Sequence, residues 1–275
     1  VLDALQHILG AQPSARIMVL NVEAFMPELD EEASKKKDAS VAAREAIYGD
    51  VKKNARLNAN FLVLVALSTI VAAIGLIENN VAVVIGAMVI APLLGPNLAL
   101  SLGTALGDFD LVKLSTKTLL AGISLAIALS LLIGYLWHTD LTSPELMSRT
   151  VAGFDTVALA LASGAAAAMS LTTGLSSTLV GVMVAVALLP PAATIGLMLS
   201  QGNSSLAIGA ALLLAVNIVC VNLASKIVLV VKGIYPRTWM EKTKAKRAMV
   251  IYVSGWVIML VVLMLAIYFR QFWLI

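Results

Sequence analysis

The 275-residue chain is 60% apolar and 13% charged, with a mean hydropathy of +0.95 and a formal net charge of +3. Soluble domains average about 45–50% apolar and about 25% charged residues, so this composition excludes a water-soluble globule. One cysteine, Cys220, excludes a disulfide framework, and aromatic residues at 5% are too sparse for a base-stacking nucleic-acid surface. The composition predicts an all-α polytopic membrane protein.

The N-terminal sixty residues are polar and predict a different structure. Leu2 to Leu9 has the pattern of a short amphipathic helix, and Ile17 to Val22 that of a strand. Because one strand and one helix cannot form a core, we expect residues 1–27 to be the C-terminal part of a small α/β cytoplasmic domain that begins upstream of Val1. Residues 28–60 predict a charged linker followed by a helix at the cytoplasmic membrane surface, or by a solvated extension of the first span.

Seven apolar segments predict transmembrane helices, because about 20 apolar residues cross the hydrocarbon core. These spans are 61–77, 81–107, 118–137, 156–172, 178–200, 205–231 and 248–269.

A cytoplasmic N-terminus places 17 of the 19 Lys and Arg residues on the cytoplasmic side, as the positive-inside rule requires. Lys242 and Lys246 are then inside, Ser143 is outside, and Lys226, near the end of the sixth span, is counted on the cytoplasmic side. We expect no charged side chain or histidine deep in any span, which disfavours a proton relay.

An internal repeat relates the two halves of the membrane region. A shift of 95 residues matches 7 of the 17 positions from Gly86 to Leu102, and it carries spans one to three (61–137) onto spans four to six (156–231). Because each block has three helices, the second block must start on the opposite side of the membrane. The sequence predicts an inverted 3+3 repeat followed by a seventh helix at 248–269, an arrangement found in transporters.

Prolines occur at corresponding places in spans two and five and predict broken helices. The first break is expected at Pro92, Gly95 and Pro96, and the second at Pro190 and Pro191. New half-helices starting at Pro96 and Pro191 would place their positive dipole ends at mid-membrane depth, which favours small anionic or zwitterionic solutes over metal cations. The candidate substrate or ion pathway therefore comprises Pro92, Gly95, Pro96, Asn97, Ser101, Pro190, Pro191 and Thr194. The alternative is a pair of structural kinks.

Two further features predict contacts between helices. Asn217 and Asn222 in the sixth span are costly in lipid, and we expect them to form interhelical hydrogen bonds. The small residues Ser163 to Ala168 in the fourth span predict close approach of another helix.

Four segments carry a family resemblance: Ala43 to Tyr48, Leu67 to Leu76, Val84 to Pro96 and Gly181 to Ala193. They resemble domain-of-unknown-function family 389, conserved hydrophobic membrane proteins of bacteria and archaea. The resemblance implies a prokaryotic inner-membrane protein, often with a small cytoplasmic domain before the spans. It implies no activity, substrate or catalytic residue.

The expected function is that of a passive transporter or channel, homo-oligomeric in the bilayer, without metal, cofactor, catalytic residue or nucleic-acid partner. No Walker loop, HExxH or GxSxG motif occurs in the sequence, and no His or Lys is expected at depth beside a serine, so we do not expect an enzyme. The alternative is a non-transporting scaffold or sensor whose cytoplasmic domain reads a ligand.

Overall fold

The computed structural model describes residues 47–137, 142–173, 188–232 and 239–273, and within these ranges every regular element is a helix. The helices are α1 Ala59–Ile77, α2 Val81–Ile90, α3 Leu94–Leu106, α4 Phe109–Leu136, α5 Pro144–Ser148, α6 Phe154–Thr173, α7 Leu189–Ser200, α8 Ser204–Val231 and α9 Trp239–Trp273. Residues 47–54, before α1, are helical as well. The chain divides into two compact units between Asp50 and Val51. The predicted α/β domain of residues 1–27 and the linker from residue 28 to residue 46 lie outside the described residues.

Five described helices are long and apolar enough to cross a membrane, which confirms the helical membrane class. They are α1, α4, α6, α8 and the Val253–Arg270 part of α9, while α2 and α3 together form a sixth candidate span that is bent by 54°. Helix α7 is apolar but only 12 residues long, and residues 178–187 of the predicted fifth span lie outside the described ranges. The count of seven crossings therefore stays a prediction.

Polar side chains fix where three of these helices begin. Asn58 accepts a hydrogen bond from the amide of Phe61 (2.7 Å), and Asp108 accepts one from the amide of Leu111 (3.0 Å). The side chain of Asn80 likewise caps the start of α2. Such N-caps satisfy amide groups that the first helical turn leaves unbonded. The sharp turn from α3 to α4 also uses Gly107, whose φ of 71° suits glycine.

The helix bounds repeat with the offset found in the sequence. Three pairs of helix starts are 95 residues apart: Ala59 and Phe154, Leu94 and Leu189, and Phe109 and Ser204. Within each block the first helix packs on the last, α1 on α4 and α6 on α8. Between blocks the packing is reciprocal, because α3 packs on α8 and α7 packs on α4. The inverted orientation of the two blocks in a membrane stays a prediction.

The approach of α6 to α8 is close, as the small residues of the fourth span predicted. A Cβ atom placed on Gly164 would lie 2.6 Å from the Cα of Val221, so glycine is required at this crossing. The hydroxyl of Ser225 donates a hydrogen bond to the carbonyl of Gly164 at 2.9 Å. These contacts confirm that interpretation.

The connection from α4 to α6 is tied to two other helix ends. The backbone amide of Glu145 donates to the side-chain oxygen of Asn79 at 3.0 Å, and the Ser143 hydroxyl bonds the carbonyl of Leu76. Arg270, at the end of the apolar part of α9, donates to the carbonyls of Thr150 (3.1 Å) and Ser205 (3.0 Å). The end of α1, the start of α8 and the end of the apolar part of α9 therefore lie at the same end of the bundle.

Candidate functional site

The second predicted span is interrupted, but two residues earlier than the prolines suggested. Helix α2 ends at Ile90, and α3 begins at Leu94 instead of at Pro96. Pro92 lies in the turn between them. Pro96 is the third residue of α3, where its missing N–H costs no intrahelical bond. The prediction of a break is confirmed, and its predicted helix start is wrong by two residues.

Gly95 does not form part of the turn, contrary to the sequence prediction. It is the second residue of α3, and a Cβ atom at this position would lie 2.7 Å from the carbonyl oxygen of Asn54. Glycine at position 95 therefore allows the segment that precedes α1 to approach the start of α3 closely. Pro92, and not Gly95, lies in the interruption.

The start of α7 resembles the start of α3. Leu188 precedes α7 as Leu93 precedes α3, and neither leucine makes a side-chain cap. Pro190 and Pro191 are the second and third residues of α7, so this helix also begins two residues before the predicted start. Whether the fifth span is interrupted before Leu188 lies outside the described residues.

A buried polar cluster joins α3 to α8. Asn97 and Ser101 on α3 are completely buried, and Asn222 on α8 is 1% exposed. The Ser101 hydroxyl donates to the side-chain oxygen of Asn222 at 2.8 Å, and the Asn222 amide donates to the side-chain oxygen of Asn97. We call Asn97, Ser101 and Asn222 the asparagine cluster.

The sequence predicted each member of this cluster but not their association. Asn97 and Ser101 were candidate pathway residues, and Asn222 was expected to form an interhelical hydrogen bond, which the structure confirms. The partners of Asn222 could not be inferred, because they lie 121 and 125 residues away. Its position in an apolar span was the only signal.

A single hydrogen bond to a backbone carbonyl fixes the orientation of the side-chain amides of Asn222 and Asn97. Asn222 Nδ2 also donates to the carbonyl of Ile218 at 2.9 Å, which requires the amine side of that amide to point there. Asn222 Nδ2 then faces the oxygen of Asn97, so the Asn97 amine points elsewhere. Asn97 Nδ2 is buried and makes no hydrogen bond within the described part of the chain. A buried donor without an acceptor costs about 1–3 kcal/mol.

The counterparts of the asparagine cluster in the other half of the repeat carry no polar side chains. Adding 95 to Asn97 and Ser101 gives Ala192 and Gly196, and subtracting 95 from Asn222 gives Ile127. A Cβ atom on Gly196 would collide with the backbone carbonyl of Ile127, so α7 and α4 meet backbone to backbone. The polar cluster thus belongs to one of two equivalent crossings.

No described hydrogen bond joins Thr194 to the asparagine cluster. It lies on α7, is completely buried, and its hydroxyl has no hydrogen-bond partner among the described residues. The side-chain hydrogen bond of Asn97 goes to Asn222 on α8, so no described hydrogen bond joins Asn97 to Thr194. A site shared by these two residues stays a prediction.

Lys226 is a residue whose burial the sequence did not predict. It was counted with the basic residues around the cytoplasmic connection after the sixth span, whereas within α8 it has a relative exposure of 0%. It follows Asn222 by four residues, so both side chains leave the same face of the helix. That spacing was the signal available in the sequence.

The chemistry of these groups is that of binding. Two side-chain amides and a hydroxyl come together at the α3–α8 crossing, and helices α3, α7 and α8 contain no Asp or Glu. Across the described ranges, no group of three or more His, Cys, Asp or Glu side chains is arranged to hold a metal ion. Such groups can hold a ligand by hydrogen bonds and charge.

A set of apolar helices around a small buried polar cluster defines an integral membrane protein of the helical class. Residues 88–223, which include the asparagine cluster, match the family "Domain of unknown function (DUF389)". The chain is 33% identical over 270 residues to uncharacterized protein MJ0678 of Methanocaldococcus jannaschii, an alignment covering 98% of this chain and 84% of that relative. The chain belongs to the DUF389 family, as its motifs predicted. No solved structure matches it.

Proposed function

We propose that this protein is a passive transporter or channel for a small solute or ion, with its binding site at the asparagine cluster beside the broken second span. The observation that carries this proposal is the amine of Asn97, which is buried at the start of α3 and has no acceptor among the residues that the structure describes. Burying a polar group without a partner is unfavourable, and natural proteins contain few such groups. A ligand that accepts a hydrogen bond would satisfy this donor.

The arrangement of the two blocks supports the same function. We propose that they form an inverted 3+3 repeat, because their helix starts share one offset and their interblock packing is reciprocal. In transporters of this kind, substrates bind at interrupted helices near the bilayer midplane. Asn222 lies about 7 Å along α8 from that helix's midpoint, at 1.5 Å per residue, so the cluster is near the middle of the span.

The remaining parts of the proposal concern the setting of the protein. We propose a prokaryotic inner membrane, a cytoplasmic N-terminus, seven crossings and a homo-oligomer without nucleic-acid partners. The asparagine cluster contains no His, Asp or Glu to act as a base for Ser101, which supports a role in binding instead of catalysis.

A second candidate, a non-transporting scaffold or sensor, is favoured by the burial of the site. Asn97, Ser101 and Thr194 each have a relative exposure of 0%. Transport therefore requires a second conformation in which α3 and α8 separate at the cluster, and the break between α2 and α3 is the hinge available for it.

Liposome permeation distinguishes the two candidates. Purified protein in liposomes is tested by stopped-flow light scattering with glycerol and glycine, and by an ion-flux assay with potassium chloride. We expect at least one of these solutes to permeate faster than in protein-free liposomes. Asn97→Leu should abolish that permeation, whereas Thr104→Val, which removes a hydroxyl bonded only within α3, should retain it. Permeation equal to protein-free liposomes for all three would support the scaffold.

A further inference from the structure

We propose that residues 51–58, which we call the latch segment, hold the start of α3 closed over the asparagine cluster and separate from α3 when the cluster opens. The inference rests on the proposed function for the passage of a solute, whereas the opening of α3 can be measured without transport. Its motivation is a close contact between Asn54 of the latch segment and Gly95 of α3, two residues before Asn97.

The latch segment belongs to the same compact unit as the membrane helices and is packed within it. Val51 is 3% exposed, and Ala55 is completely buried. Leu57 packs against the apolar cluster that contains Leu93, the residue that precedes α3. Asn58 accepts the hydrogen bond that caps α1. The segment is therefore held in place from Val51 to the first turn of α1.

The contact with α3 involves the backbone of both segments. A Cβ atom on Gly95 would lie 2.7 Å from the carbonyl oxygen of Asn54 and 3.1 Å from its Cβ. Asn54 is the last residue of the helix formed by residues 47–54, so its carbonyl has no donor within that helix. The negative end of one helix dipole thus faces the positive end of another at the start of α3. Because such an attraction is modest, the contact can be released and formed again.

The exposure of α3 changes sharply beside the cluster. Leu94 and Gly95 are partly exposed, whereas α3 is buried from Pro96 to Ala105. Asn97, whose amine has no acceptor among the described residues, is therefore two residues from the partly exposed end of the helix. Access to this amine along α3 is shortest at the helix start, which is where Asn54 lies.

The neighbouring break allows the start of α3 to move. Helices α2 and α3 are bent by 54° at the turn that contains Pro92, and hinges of this kind are a few residues at the ends of elements. The other block lacks the same arrangement, because Pro190, the counterpart of Gly95, is buried in α7. We therefore expect opening at the start of α3 and not at the start of α7.

A disulfide across the contact tests whether the latch segment controls α3. Asn54→Cys with Gly95→Cys should crosslink under mild oxidation, because the two Cβ atoms would lie 3.1 Å apart and a small shift reaches the required distance of about 3.5–4.5 Å. Hydrogen–deuterium exchange of the purified protein is then followed in residues 93–101. We expect oxidation to slow this exchange about tenfold and reduction to restore it. Asn54→Cys with Gly86→Cys, a position with nothing within 4 Å, should show neither the crosslink nor the change.

Gly95→Ala is a second test that needs no crosslink. The added methyl group would press against the carbonyl of Asn54, so we expect exchange in residues 93–101 to become about tenfold faster. Gly86→Ala should leave exchange in these residues unchanged. Unchanged exchange both on oxidation of the cysteine pair and in Gly95→Ala would overturn the proposal.

The liposome permeation assay separates this inference from the proposed function. The protein with Asn54→Cys and Gly95→Cys is tested with glycerol, glycine and potassium chloride, in its oxidised and reduced forms. We expect permeation to be lost on oxidation and restored on reduction. Equal permeation in the two forms would overturn the latch and leave the transport proposal standing. Slower exchange on oxidation, in a protein through which none of the three solutes permeates, would support the latch and contradict transport.

Discussion

Leu93 and Leu188 occupy equivalent positions immediately before α3 and α7, 95 residues apart, and both side chains are completely buried in the same apolar cluster. Each leucine occupies the cap position of its helix without a side-chain hydrogen bond, so apolar packing holds these helix starts in place. Ala91 and Ala192 belong to this cluster as well. The residues leading into α3 and α7 thus belong to a shared core.

Removing the hydrogen bond between Ser101 and Asn222 should reveal coupling between α3 and α8. We expect Ser101→Ala and Asn222→Ala each to lower the free energy of unfolding, and the double variant to lose less than their sum. The coupling should be about 0.6 kcal/mol and no more than about 1.7 kcal/mol, the range for hydrogen bonds between membrane helices. Reversible unfolding in mixed detergent measures it.

Thr104→Ala is the matched control, because the Thr104 hydroxyl donates only to carbonyls of its own helix, those of Leu100 and Ser101. It should show no coupling with Asn222→Ala. Strict additivity of Ser101→Ala and Asn222→Ala would contradict the bond described here.

Gly164→Ala should destabilise the protein through the crossing of α6 and α8. The added methyl group would lie 2.6 Å from the Cα of Val221, and such overpacking costs about 1–3 kcal/mol. Gly86→Ala is the control, because nothing lies within 4 Å of its added methyl group, and alanine favours the helix by about 0.5–1 kcal/mol. In thermal unfolding, Gly164→Ala should have a lower unfolding temperature than the unaltered protein, and Gly86→Ala a higher one. Equal unfolding temperatures would show that α6 and α8 are less closely packed.

A disulfide between positions 134 and 200 should test the packing of α4 on α7. A Cβ atom on Gly134 would lie 3.0 Å from the Cβ of Ser200, and disulfides require about 3.5–4.5 Å, within reach of a small shift. We expect Gly134→Cys with Ser200→Cys to crosslink under mild oxidation, detected as a reducible change in gel mobility after cleavage between the helices. Gly86→Cys with Ser200→Cys should remain uncrosslinked, and the opposite pattern would exclude the reciprocal packing.

Cysteine labelling on intact cells should establish the orientation. The hydroxyl of Ser143 is bonded to the carbonyl of Leu76, so the exposed Ser148 in the same connection is the better reporter. We expect Ser148→Cys to react with an impermeant maleimide before lysis and Lys113→Cys only after it. Native Cys220 is buried and should contribute little background. Reaction of Lys113→Cys alone in intact cells would reverse the predicted orientation.

Hydropathy was sufficient to predict the described spans, because a helix in lipid must satisfy its own backbone and expose apolar side chains. Proline also located the break before α3, but only to within two residues. A proline is tolerated anywhere in the first helical turn, so Pro96 could not distinguish a start at Leu94 from a start at itself.

The site was less predictable because it depends on how two distant helices are aligned. The bond between Asn97 and Asn222 requires the relative rotation and height of α3 and α8, and neither is encoded by the periodicity of a single segment. The burial of Lys226 was missed for another reason. Counting basic residues near span ends treats them as exposed on the cytoplasmic side, although the four-residue spacing from Asn222 places Lys226 on the same face of α8 as that asparagine.

The prolines at the starts of α3 and α7 give these two helices different numbers of unbonded N–H groups. The two starts should therefore differ in how much hydration they need during membrane insertion. An α-helix leaves its first four amide positions without intrahelical acceptors. Pro190 and Pro191 remove two of these four N–H groups from the start of α7, whereas Pro96 removes one from the start of α3. Each removed donor avoids a desolvation cost of about 1–3 kcal/mol. We therefore expect the start of α7 to enter a dry environment readily, and the start of α3 to remain hydrated until the chain around it is assembled.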